Sequence, residues 1–112
     1  MNPQVPAVLP SDPWLGVEGA RFLAKRWAGG LSLADPRVSP LVGDFHDLGP
    51  MLVLAGTRDI LTPDARLLVS RAQAAGVDVS LVEREGAVHV YPLLPTRPAT
   101  VARTRIVDAL RG

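Results

Sequence analysis

Cysteine is absent from the 112 residues, which excludes disulfides and thiolate metal sites and leaves the redox compartment open. Aromatic residues are only 4% of the chain. The 12 Lys and Arg are scattered among 11 Asp and Glu, for a net charge of +1. A nucleic-acid surface needs a basic stripe with aromatics for stacking, and neither is present. Long apolar runs are missing too. The longest, Met51-Leu52-Val53-Leu54-Ala55, is far short of the roughly 20 residues of a membrane-spanning helix. Residues 1–9 lack the basic and apolar regions of a signal peptide, and Pro3, Pro6 and Pro10 would interrupt one. The expectation is a soluble, cytoplasmic chain. With 47% hydrophobic residues it has the composition of a globular domain, and its length allows one core.

What is present falls into short elements separated by proline and glycine, without internal repeats or low-complexity tracts. Over residues 16–27, Ala20, Leu23, Ala24 and Trp27 recur at helical spacing before the Gly29-Gly30 stop. Residues 31–50 are too densely punctuated for regular structure and read as a long ordered loop or as a disordered stretch. The apolar run at 51–55 reads as a parallel strand covered on both faces, ending at Gly56. Pro63 suits a first helical turn, and Ala65, Leu68, Ala72 and Ala75 line one face as far as Gly76. Residues 77–83 alternate as a second strand, which gives a strand, a crossover helix and a parallel strand. Over residues 98–110, Ala99, Ala102, Ile106, Ala109 and Leu110 share one helical face. The fold class is therefore α/β. Two parallel strands leave unpaired edges and a bare apolar face, a pattern that calls for a partner.

In open α/β sheets ligands bind beyond the carboxyl ends of the strands, so the loops after Ala55 and Glu83 are the places to look. The first contains Asp59 and the second His89. A carboxylate that accepts a hydrogen bond from an imidazole fixes its tautomer and stabilises the imidazolium formed when the other nitrogen takes a serine proton. The same residue types also serve as an ordinary turn aspartate and an exposed loop histidine, and spacing does not separate the two readings.

Four strings, taken together, narrow the choice: Asp35-Pro36-Arg37-Val38-Ser39-Pro40-Leu41; Pro50 leading the strand into Gly56-Thr57-Arg58-Asp59-Ile60-Leu61; Ala75-Gly76-Val77; and Gly86-Ala87-Val88-His89-Val90-Tyr91-Pro92. In order and spacing they resemble the C-terminal part of hormone-sensitive-lipase-like esterases, which are α/β-hydrolases, over about residues 31–110. The resemblance implies that Asp59 is the triad acid and His89 the general base. Tyr91 stands where the family more often has Phe. It also implies that residues 1–30 form a cap-like helical segment and residues 31–112 the C-terminal portion of the hydrolase domain. In that arrangement Trp14 and Phe22 either line the acyl or alcohol entrance or are ordinary surface or core aromatics.

Such an esterase carries its nucleophile in Gly-x-Ser-x-Gly, before the acid in the chain. Ser11, Ser32 and Ser39 precede Asp59, and none has that flanking pattern or a strand-turn-helix around it. No oxyanion-hole glycine motif is present either, so the electrostatic stabilisation of acyl transfer must come from elsewhere. His46 and His89 are the only histidines, and no ligand spacing or glycine-rich phosphate loop announces a metal or a cofactor; none is expected. The expected partners are a small acyl ester and either a complementary N-terminal hydrolase chain or further copies of this one. The alternatives are an inactive truncated remnant or accessory interaction module, and an unrelated α/β domain.

Overall fold

A computed structural model describes residues 1–112. The elements run α1 (Val5–Val8), α2 (Val17–Ala28), β1 (Met51–Arg58), α3 (Thr62–Ala74), β2 (Val79–Val88) and α4 (Arg97–Arg111), with 3-10 turns at Leu9–Ser11, Pro40–Val42 and Tyr91–Leu93. β1 and β2 pair in parallel to form a two-stranded sheet, and α3 is the crossover between them. The expected strand-helix-strand unit and terminal helix are both present.

The crossover helix closes where its sequence says it should. Gly76 adopts φ +82, so its N–H reaches back to the Gln73 carbonyl and that of Val77 to the Ala72 carbonyl. This is a Schellman closure, and it delivers Val77 into a small core with Phe45 and Ala72. Residues 77–78 are spent on this turn, so β2 begins at Val79 rather than at Val77 as expected. At the other end of the chain, Thr96 caps α4 by accepting the Ala99 N–H, and Ala99 and Ala102 are buried beneath it.

Other expectations need correction. β1 does not stop at Gly56 but continues to Arg58, and β2 continues past Glu83 to Val88. Gly56 is a point of close approach and not a breaker: a Cβ there would lie 2.3 Å from the Ala87 carbonyl oxygen. Met51–Leu54 are half-buried instead of covered on both faces, because β1 has a strand on one side only. Pro6 lies in the first turn of α1, where a missing N–H costs nothing. α2 turns Val17, Ala20, Ala24 and Ala28 inward, whereas Leu23 and Trp27, expected on its packed face, are exposed. In α4 the apolar stripe is covered only as far as Ile106, and Leu110 is exposed. No helix is long and apolar enough to cross a membrane.

Candidate active site

The sheet is built so that the loops at its carboxyl end meet. Between Gly56 and Arg58 β1 advances two residues while its partner advances four, from Arg84 to Val88, so β2 carries a bulge. Gly86 makes the bulge possible with φ +73, and its N–H donates to the Thr57 hydroxyl at 2.8 Å. The bulged strand then passes tightly over Gly56, which sets His89 opposite the loop that follows β1. Val90 adopts φ 48, unusual for a β-branched residue, and turns the chain into the 3-10 turn that buries Tyr91.

Asp59 is buried in the turn between β1 and α3. Its Oδ1 accepts the Leu61 N–H at 2.8 Å and its backbone carbonyl accepts the Thr62 N–H at 3.0 Å. Thr62, also buried, ties the same turn to the strand by donating its hydroxyl to the Gly56 carbonyl at 2.6 Å. The remaining carboxylate oxygen, Oδ2, lies 2.9 Å from His89 Nδ1. An ionised Asp59 is acceptor-only, so Nδ1 carries the proton and Nε2 is the nitrogen left for proton transfer. The two residues singled out from the loops are thus brought into direct contact by the fold. A cleft of about 410 Å³ opens beside them, with Leu54, Leu61, Ala65 and Ile106 in its wall. Its size and apolar lining suit a small organic ligand.

This geometry can orient an imidazole and hold it ready as a base. Ser11 donates to the Val8 carbonyl and the Ser32 hydroxyl accepts the Ala34 N–H; neither is hydrogen-bonded to His89. Ser39 leads into the 3-10 turn at Pro40–Val42. His46 pairs with Asp44 on the exposed surface, away from this pair, as a solvated loop residue. No group of three or more His, Asp or Glu side chains gathers in a metal-holding arrangement.

A family model described as the alpha/beta hydrolase fold matches residues 2–93. The chain belongs to the α/β-hydrolase fold. It is 36% identical over 93 residues to a triacylglycerol lipase of Mycobacterium tuberculosis, an alignment that covers 83% of this chain and 21% of the lipase. Two solved structures are also similar at 34% identity. A mutant of the esterase E40 has a TM-score of 0.91 over 99% of this chain and 38% of its own length. An esterase from the bacterial hormone-sensitive lipase family has a TM-score of 0.82 over 92% of this chain and 36% of its own. These likenesses place the α/β-hydrolase chain on the hormone-sensitive-lipase-like, esterase and lipase side of the fold. It spans about a fifth of the curated lipase and under two fifths of the two esterases.

Asp12 is one residue of the site that no sequence motif singles out. Its carboxylate reaches the acid loop across 48 positions, to the Ile60 N–H at 2.8 Å. No local pattern announces so distant a contact; the only signal was an Asp-Pro pair, which marks a turn.

Proposed function

We propose that this chain supplies the acid and the base of a carboxylic ester hydrolase, with Asp59 orienting His89 toward a serine nucleophile that lies outside the 112 residues. The observation that carries this reading is the 2.9 Å hydrogen bond from His89 Nδ1 to the buried Asp59 carboxylate. His89 Nε2 takes the serine proton as the hydroxyl oxygen attacks the ester carbonyl, and Asp59 stabilises the imidazolium. The imidazolium then gives that proton to the departing alkoxide, leaving an acyl-serine. Water, deprotonated by the same nitrogen, releases the acid and restores the serine. The oxyanion donors come with the nucleophile, from a complementary hydrolase chain.

The reading includes a small acyl ester as substrate, in keeping with the names of its relatives, a triacylglycerol lipase and an acetyl-hydrolase. It also includes a cytoplasmic location and a cap role for residues 1–30, in which the exposed Trp14 and Phe22 would face the acyl entrance.

A fluorophosphonate probe tests the proposal on the tagged chain, both purified alone and recovered with its partners from the native host. Label on a co-purifying polypeptide supports it. In that assembly His89→Ala is expected to lower ester hydrolysis by at least about 10,000-fold with the assembly intact, and full retained activity would remove His89 from the mechanism. A second reading, a non-catalytic module that binds a partner through the sheet edge, is favoured by a single observation: only 15 of 112 residues are buried around a two-stranded sheet. Absence of label in both samples would select it.

A further inference from the structure

Asp12 uses its two carboxylate oxygens for different purposes. Oδ1 accepts the N–H groups of Trp14 and Leu15, at 2.9 and 2.8 Å, an Asx turn that needs nothing further. Oδ2 leaves the turn and accepts the Ile60 N–H at 2.8 Å. One residue earlier, the Ser11 carbonyl accepts Arg58 Nε at 2.9 Å. Both neighbours of Asp59 are therefore held by Ser11 and Asp12.

The peptide unit joining Asp59 to Ile60 shows what this achieves. Its carbonyl accepts the Thr62 N–H and its N–H donates to Asp12, so the plane is fixed at both ends. Fixing that plane fixes the backbone torsion of Asp59, and with it the direction in which the carboxylate meets His89. Burial alone would raise the Asp12 pKa. The Leu15, Ile60 and Trp14 amides outweigh it and hold the carboxyl below the usual carboxylate range, and the nearby His89 imidazole adds to the lowering. At neutral pH Asp12 is thus an anion, able to serve three amides and to attract a protonated His89.

We propose that Asp12 is a positioning residue for the Asp59–His89 pair, pinning the Ile60 amide so that the acid carboxylate faces the imidazole. The proposal rests on the reading of that pair as working machinery. Its test, however, reads hydrogen bonds and not hydrolysis, so its failure and a failure of the esterase reading are told apart.

Asp12→Asn separates the two jobs. The remaining carbonyl oxygen can keep the Asx turn, whereas the amide nitrogen confronts the Ile60 N–H donor to donor. On the full 112-residue chain, Ile60 amide exchange is expected to quicken about three- to tenfold. The low-field proton resonance of His89 Nδ1–H, shared with Asp59, is expected to broaden or vanish, while the β1–β2 ladder amides keep their protection. Unchanged Ile60 exchange together with an unchanged His89 resonance would overturn the proposal. Asp12→Ser, whose single oxygen can cap the turn but not span to Ile60, is expected to behave like Asp12→Asn. Loss of ladder protection in both variants would also overturn it, since Asp12 would then hold the fold as a whole and not the pair.

Discussion

The two ends of this molecule obey different rules. At the carboxyl end of the sheet, Gly56, Asp59, Thr62 and Tyr91 are buried, and hydrogen bonds link Thr57 to Gly86, Thr62 to Gly56, and Asp59 to Leu61 and His89. Along α2 and at the end of α4, by contrast, Phe22, Leu23, Trp27 and Leu110 stand in solvent. A well-defined site therefore coexists with a thin core. The reason is that the site is held by turns, one strand bulge and a few hydrogen bonds from Ser11 and Asp12, which demand particular partners and little buried area. The exposed apolar side chains belong to faces that matter only when something covers them.

The strongest way to break the site end without touching the other is Gly56→Val. Even a Cβ at this position would sit 2.3 Å from the Ala87 carbonyl oxygen and 2.6 Å from its carbon, both backbone atoms. The end of β2 must move away, carrying His89 with it. The expected cost is about 3 kcal/mol by urea unfolding, with loss of the His89 Nδ1–H resonance. A variant as stable as the parent would mean that β2 approaches β1 less closely than described.

Thr62→Val is the next largest. It preserves shape and removes the buried hydroxyl that donates to the Gly56 carbonyl. The expected loss is about 1–2 kcal/mol, with faster exchange of the amides in the turn after β1. An unchanged unfolding midpoint would show that this turn is held by its backbone alone.

The difference between the two ends also explains what could be read from the chain beforehand. Asp59 and His89 were legible because each follows a strand within a recognisable string, and the bulge at Gly86 lies inside one of those strings. Gly56 was misread as a stop because a glycine needed for close approach and a glycine that ends a strand look alike until the neighbouring strand is in place. On α2 the pattern revealed apolar residues at helical spacing but not which stripe faces inward. That choice belongs to the tertiary packing, which selected Val17, Ala20, Ala24 and Ala28. Asp12 was invisible for the same reason, since its partner is 48 residues away.

A smaller effect, and one that depends on pH, comes from the brace between α3 and β2. Arg66 donates through Nε and Nη2 to the two oxygens of Glu83, and this pairing holds the Glu83 carboxyl below the usual range. Because the folded pKa is depressed, the stabilisation is complete above the ordinary glutamate value of about 4.3 and disappears as pH falls through the folded value. Glu83→Gln is therefore expected to cost about 0.5–1 kcal/mol at pH 7 and to converge with the parent in acid. A cost that stays constant from pH 7 into acid would assign the effect to packing and not to the ion pair.

Trp27→Ser addresses the other end and should do the least. The indole is 79% exposed, so its removal takes away little packing, and the expected change in stability is within about 0.5 kcal/mol. A near-zero effect in the isolated chain alongside a large one at Gly56 would confirm that the two regions are held by separate means. A loss of more than about 1.5 kcal/mol would mean that the indole is covered in solution, because removing a solvated side chain cannot cost that much. Repeating the measurement on the assembly recovered from the host sharpens the contrast. If α2 acts as a cap over a completed site, the same substitution that is silent in the isolated chain becomes costly there, and the exposed face is revealed as one half of an interface.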